Sequence, residues 1–252
     1  MLPHLLIRLP TAWRAPALLL ATWRRWGTML AACLASVVLL ASIDGTRAEL
    51  VMAILLYAPP ILALMVMGGV FAHWRRASVW TTIAQRAGAG LADGWRLLGL
   101  AAALYLLLLL PIAGLALQNM PLPPPAADVP HAVERAAVFV SAWGIISFLT
   151  VATVAVLARR GVAGLMIGWM AVPAVLAFAG PAMGLEKEVT ESLAYLAPPF
   201  HAAARLHDVL RGESAELTRR VVTHLLTFPI LCAGLITLGL QRLVYAPTEV
   251  DP

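Results

Sequence analysis

Charge is what this sequence is shortest of. Charged residues occupy 12% of its 252 positions, about half the share found in water-soluble domains. That deficit, with 61% hydrophobic residues, excludes an ordinary soluble core and makes a bilayer the solvent. Cysteine is also scarce. Cys33 and Cys232 both fall inside apolar runs, so the sequence offers no disulfide framework and no thiolate metal site; both read as small apolar fillers. No Gly-x-x-x-x-Gly-Lys-Ser/Thr phosphate loop occurs, so the chain has no P-loop of its own with which to hydrolyse a nucleotide. No His-Glu-x-x-His zinc pattern occurs either. The net charge of +5 would suggest nucleic acid in a soluble protein, but the arginines stand beside apolar spans, where they set orientation. No nucleic-acid partner is expected.

What is present is a series of apolar runs long enough to cross hydrocarbon, which takes about 20 helical residues. They predict an all-α integral membrane protein of about six transmembrane helices. The expected spans are Thr28 to Ile43, Leu50 to Ala72, Leu97 to Leu117, Ala136 to Ala158, Val162 to Met183 and Val221 to Leu240. Residues 1–27 mix Trp and Leu with Arg and are broken by Pro10 and Pro16, the composition of a segment lying in the interface. The Leu30-Ala31-Ala32-Cys33 stretch resembles a lipoprotein cleavage box, but the apolar stretch ahead of it is shorter than the roughly 7–15 residues of a signal peptide's core, so a retained first span is expected. The six-span domain is thus 28–243, with a cytoplasmic polar segment at 73–96, an outer segment at 185–220 and a short tail at 244–252.

Basic residues set the orientation. Arg8, Arg14, Arg24, Arg25, Arg75, Arg76, Arg86, Arg96, Arg159, Arg160 and Arg242 share one side of a six-span arrangement, and that side is read as the cytoplasm, with both chain ends there. Arginine predominates over lysine, and Ala, Leu and Trp are abundant, as in chains from GC-rich bacterial genomes. A bacterial inner membrane is the expected location.

Prolines punctuate the spans at Pro59, Pro60, Pro111, Pro173 and Pro229. Each frees a backbone carbonyl, which a bundle tolerates where a neighbour re-satisfies it. Gly164 and Gly168, four apart in the fifth span, form a small-residue ridge suited to close helix packing within the chain or between two chains. The outer segment carries His201, Arg205, His207 and Asp208 around an expected helix from Ala202 to Leu210, ended by Gly212. His201 and Arg205 share a helix face. A solvated face of a re-entrant helix is the plainer reading of this cluster, and metal binding or acid–base work the rival one. His224, near the outer end of the last span, reads as an interfacial histidine.

The arrangement resembles the membrane permease subunits of exporter-type ATP-binding cassette (ABC) transporters, over nearly its whole length. The more specific part is His73-Trp74-Arg75-Arg76-Ala77-Ser78-Val79-Trp80-Thr81-Thr82-Ile83-Ala84-Gln85-Arg86-Ala87-Gly88. In that family the segment after the second span holds the coupling helix, which docks on the ATPase. The resemblance implies that role for Arg75, Arg76, Trp80, Gln85 and Arg86, although the family's acidic residue and Gly-Thr are missing here. Trp80 could equally anchor an amphipathic helix at the headgroups. The second match, Tyr195-Leu196-Ala197-Pro198-Pro199-Phe200-His201, looks like the family's outer re-entrant pair of short helices, marked by Tyr195, Pro198, Phe200 and His201. The resemblance further implies no cofactor in this chain, ATP and Mg on a partner ABC-type ATPase subunit, a second permease chain as homodimer or heterodimer partner, and an amphipathic or lipid-linked substrate. The rival from another class is a non-transporting anchor or assembly subunit of a larger membrane complex. An intramembrane enzyme is the least supported, because the spans hold almost no ionisable side chain.

Overall fold

The computed structural model describes residues 48–68, 91–118, 129–158, 168–169, 184, 198–211 and 215–245. These residues are helical throughout their long segments, with no strand among them. Helix α1 spans Ala48–Ala63 and runs into a π-helical turn, Leu64–Gly68; α2 spans Leu91–Gln118, α3 Val129–Leu157, α4 Phe200–Leu210 and α5 Ala215–Tyr245. Three of them, α2, α3 and α5, are long and apolar enough to cross a membrane, and the protein reads as a membrane protein on that ground. The first span, nearly all of the fifth, and residues 1–27 and 246–252 lie outside the described residues.

The helices are longer than the apolar runs that announced them. α2 begins at Leu91 rather than Leu97, α3 at Val129 rather than Ala136, and α5 runs from Ala215 to Tyr245 rather than from Val221 to Leu240. Hydropathy marks only the part at hydrocarbon depth, about 30 Å, whereas 28 to 31 helical residues reach about 42 to 47 Å. The extra turns carry charge into the interface. Arg96 Nη1 donates to Asp93 Oδ1 at 2.8 Å one turn apart, and Asp93 sits in the first turn of α2, where a carboxylate complements the helix dipole.

α2 runs antiparallel to α3 and α5, which run parallel to each other. Tyr105 of α2 meets Gly144 and Phe148 of α3, while Leu109 lies beside Gly144, so sequence runs oppositely along the two. Gly239 of α5 lies against Val156 and Leu157, whereas Leu225 and Pro229 lie near Ile145 and Ile146. The starts of α3 and α5 therefore share one end of the bundle with the C-terminal end of α2. The start of α2 and the end of α5 share the other.

α3 is the hub. It packs against α1, α2, α4 and α5, and 72% of its spanning window is buried, against 39% for α2 and 22% for α5. Its small residues admit the neighbours. A Cβ on Gly144 would stand 2.9 Å from Leu109 Cδ2, and one on Gly239 would stand 2.5 Å from Val156 Cγ1. The close approaches that small residues permit thus lie at Gly144 and Gly239. A Cβ on Gly168 meets nothing within 4 Å, so the expected ridge makes no tight contact there; Gly164 lies outside the described residues.

Several polar groups inside the bundle pair internally, whereas the buried Ser147 hydroxyl has no hydrogen-bond partner among the described residues. Tyr105 Oη donates to the Gly144 carbonyl at 3.0 Å, and Thr150 and Thr153 donate back to the carbonyls of Ile146 and Leu149 at 2.7 Å. The consequential bond is from Trp143 Nε1 to the Leu56 carbonyl, at 2.8 Å. In a regular helix that carbonyl would accept from residue 60, but residue 60 is proline and has no N–H. The indole of α3 supplies the donor that α1 lacks.

Trp143→Phe should therefore leave the Leu56 carbonyl unpaired in an apolar setting, at a cost of about 1–3 kcal/mol. We expect a lower thermal midpoint in mild detergent. In a Pro60→Ala background, where the helix regains its own N–H, the same substitution should cost markedly less.

Candidate functional site

The outer segment contributes one described helix, α4, of 11 residues, about 16 Å long and so too short to span. Prolines set its start. The Phe200 N–H donates to the Pro198 carbonyl at 2.7 Å and the Ala203 N–H to the Pro199 carbonyl at 2.9 Å, while Pro198 and Pro199 themselves are buried. The helix stops where the Arg211 N–H closes on the His207 carbonyl at 3.2 Å, one residue before Gly212.

α4 is amphipathic, and its inner face seats it on α3 and α5. Ala202, Ala203 and His207 are buried, whereas Arg205, Leu210 and Arg211 are exposed. Phe200 meets α3 edge-on, its ring 5.0 Å from that of Trp143 and 5.7 Å from that of Phe139, an arrangement aromatic pairs favour. The same Trp143 that completes α1 thus anchors α4.

The charged groups gather where α4 crosses the start of α3. Asp208 is shared by two arginines, with Arg205 Nη1 3.4 Å from Oδ2 and Arg135 Nη2 3.5 Å from Oδ1. Glu134 lies 4.0 Å from Arg211 Nη2 and 3.7 Å from His207 Nε2. His207 Nδ1 is 3.9 Å from Asp208 Oδ1. His207 is only 2% exposed, and neither ring nitrogen makes a hydrogen bond. The solvated-face reading is corrected for His207 and Asp208, both of which are buried. It stands for Arg205.

Chemically, the cluster is an electrostatic clasp between α3 and α4. Among the described residues no group of three or more His, Cys, Asp or Glu side chains is placed to hold a metal. Glu134 and Arg135 are the members that sequence reasoning missed. Both precede the expected fourth span, which starts at Ala136, whereas α3 starts at Val129.

The other predicted site residues divide. Pro198 and Phe200 are placed together at the start of α4; His201 falls within α4, its side chain outside the described set. Tyr195, and the coupling residues Arg75, Arg76, Trp80, Gln85 and Arg86, lie outside the described residues. Leu91, the first residue described after 68, starts α2 at the end of the bundle opposite α4. Cys232 is fully buried and reduced in the middle of α5.

Asp208→Asn should loosen the clasp, since two cations lose their shared counter-charge. With both arginines about half exposed, the cost is about 1 kcal/mol, read as a fall of roughly 2–4 °C in thermal midpoint. His207→Leu, which removes a buried group without hydrogen bonds, should cost less than Asp208→Asn or stabilise. Comparison of the chain with protein-family models, with curated proteins and with solved structures finds no match.

Proposed function

We propose that the chain is the permease subunit of an exporter-type ABC transporter, working as a dimer with itself or with a similar subunit. A separate ATPase chain, which binds ATP and Mg, docks on the segment 73–96 and drives outward movement of an amphipathic or lipid-linked substrate. The observation that carries this reading is α4. It is a short amphipathic helix launched by Pro198 and Pro199, held at one end of the bundle, and followed almost at once by the last spanning helix. The resemblance implies a pair of short helices in the outer segment, and α4 supports it with one short helix before α5.

Two further features support it. Ionisable side chains in α2, α3 and α5 stand at the helix ends, with Asp93 and Arg96, Glu134 and Arg135, Arg219 and Arg220, and Arg242 as examples. A path lined this way suits an apolar or laterally entering substrate better than a small ion. The start of α2 and α4 also lie at opposite ends, as a motor on one side and an exit on the other require.

Tagged protein purified in mild detergent should carry an ABC-type ATPase, and Trp80→Ala with Arg86→Glu should release it. Retention of other enzyme subunits with no ATPase, even from intact membranes, would instead establish the anchor or assembly role.

A further inference from the structure

We propose that the groove between α3, α4 and α5 is a binding site for an anionic membrane phospholipid, one acyl chain lying in the groove and the phosphate at Arg135 and Arg205. The site stands on geometry alone and does not depend on the permease reading.

The groove encloses about 480 Å³, within the roughly 300–1,000 Å³ of small-molecule sites. Its walls are apolar: Val138, Ala142 and Ile145 from α3, Leu206 from α4, Leu225 and Pro229 from α5. Ser141 is its one hydroxyl, and that hydroxyl is already spent, donating to the Ala137 carbonyl at 2.8 Å. Nothing in the wall asks for water or for a polar ligand. Ile145 in its wall is exposed, as are Leu226 and Ile230, the residues that follow the lining Leu225 and Pro229 on α5, and the groove lies along the spanning windows of α3 and α5. It therefore opens sideways toward hydrocarbon, and its occupant is a chain of methylenes.

Headgroup preference comes from the mouth. Arg135 shares a face of α3 with Val138, Ala142 and Ile145, at spacings of three, seven and ten, one turn beyond the groove's Ala137–Val138 end. Arg205 precedes the lining residue Leu206 on α4, and both arginines meet at Asp208. Among the described residues the cluster sets three arginines, Arg135, Arg205 and Arg211, against two carboxylates, Asp208 and Glu134, a surplus of one positive charge. The Arg135 and Arg205 side chains remain 59% and 51% exposed, within reach of a ligand. Guanidinium groups pair with phosphate oxygens through directed hydrogen bonds. An acyl slot under such a pair selects a lipid that is anionic and phosphorylated.

The test uses full-length protein in vesicles, with Leu226→Cys carrying a fluorophore in a Cys33→Ala background. Acyl-nitroxide phosphatidylglycerol and phosphatidylcholine, at equal mole fraction, compete for quenching. We expect phosphatidylglycerol to quench at about fivefold lower mole fraction, the effect of roughly one surface arginine on an anionic lipid. Arg135→Gln, which keeps the Arg205–Asp208 pair, should abolish the preference, and Ala142→Phe, which fills the slot, should reduce quenching by both lipids. Equal quenching by the two lipids, or a preference that survives Arg135→Gln, would overturn the proposal. So would a probe shielded from both lipids and cross-linking to a second copy.

Discussion

A proline in a membrane helix leaves a carbonyl without its donor, and hydrocarbon has no water with which to replace it. At Pro60 the replacement is the Trp143 indole, fully inside the bundle and bonded to Leu56 across 87 residues of sequence. Much else is hung on that contact. It fixes α1 against α3, and the opposite edge of the same aromatic cluster receives Phe200, which seats α4. One side chain thus ties together a spanning helix, an irregular helix and the short helix at the bundle's end.

Around this point the molecule separates two kinds of cohesion. At depth, helices approach through small residues at Gly144 and Gly239 and through hydroxyls that bond within their own helix. Packing and internal hydrogen bonding are what hold helices together in lipid, where apolar surface gains little by meeting apolar surface. At the end of the bundle, where α3, α4 and α5 start or cross, ion pairs take over and His207 is enclosed among them. The result is a charged cluster at one end of an apolar body.

The sequence disclosed the membrane class and the middle of each long helix, because both follow from apolar run length. Helix ends were less visible. Residues 91–96 and 129–135 are polar or contain Pro130, and they read as loops although they continue α2 and α3. That error hid the clasp, since Glu134 and Arg135 became partners of α4 only once α3 reached back to them. Prolines mark carbonyls that lose their donor, but not that Trp143 pairs with one of them. A bond spanning 87 residues has no local signature. Gly168 shows the converse: a Cβ placed there meets nothing within 4 Å, and its motif partner Gly164 lies outside the described residues. α4 was legible nearly to the residue, because Pro199 and Gly212 bracket it.

The central claim is that α2, α3 and α5 cross the bilayer with α4 on the outer face and the start of α2 on the inner one. Single cysteines placed by Leu210→Cys, Ala92→Cys and Gln241→Cys, each in a Cys33→Ala background, test it with an impermeant maleimide. The account predicts labelling of the Leu210→Cys variant in intact cells and of the other two only after the membrane is opened. Labelling of the Leu210→Cys and Ala92→Cys variants from the same side would contradict it.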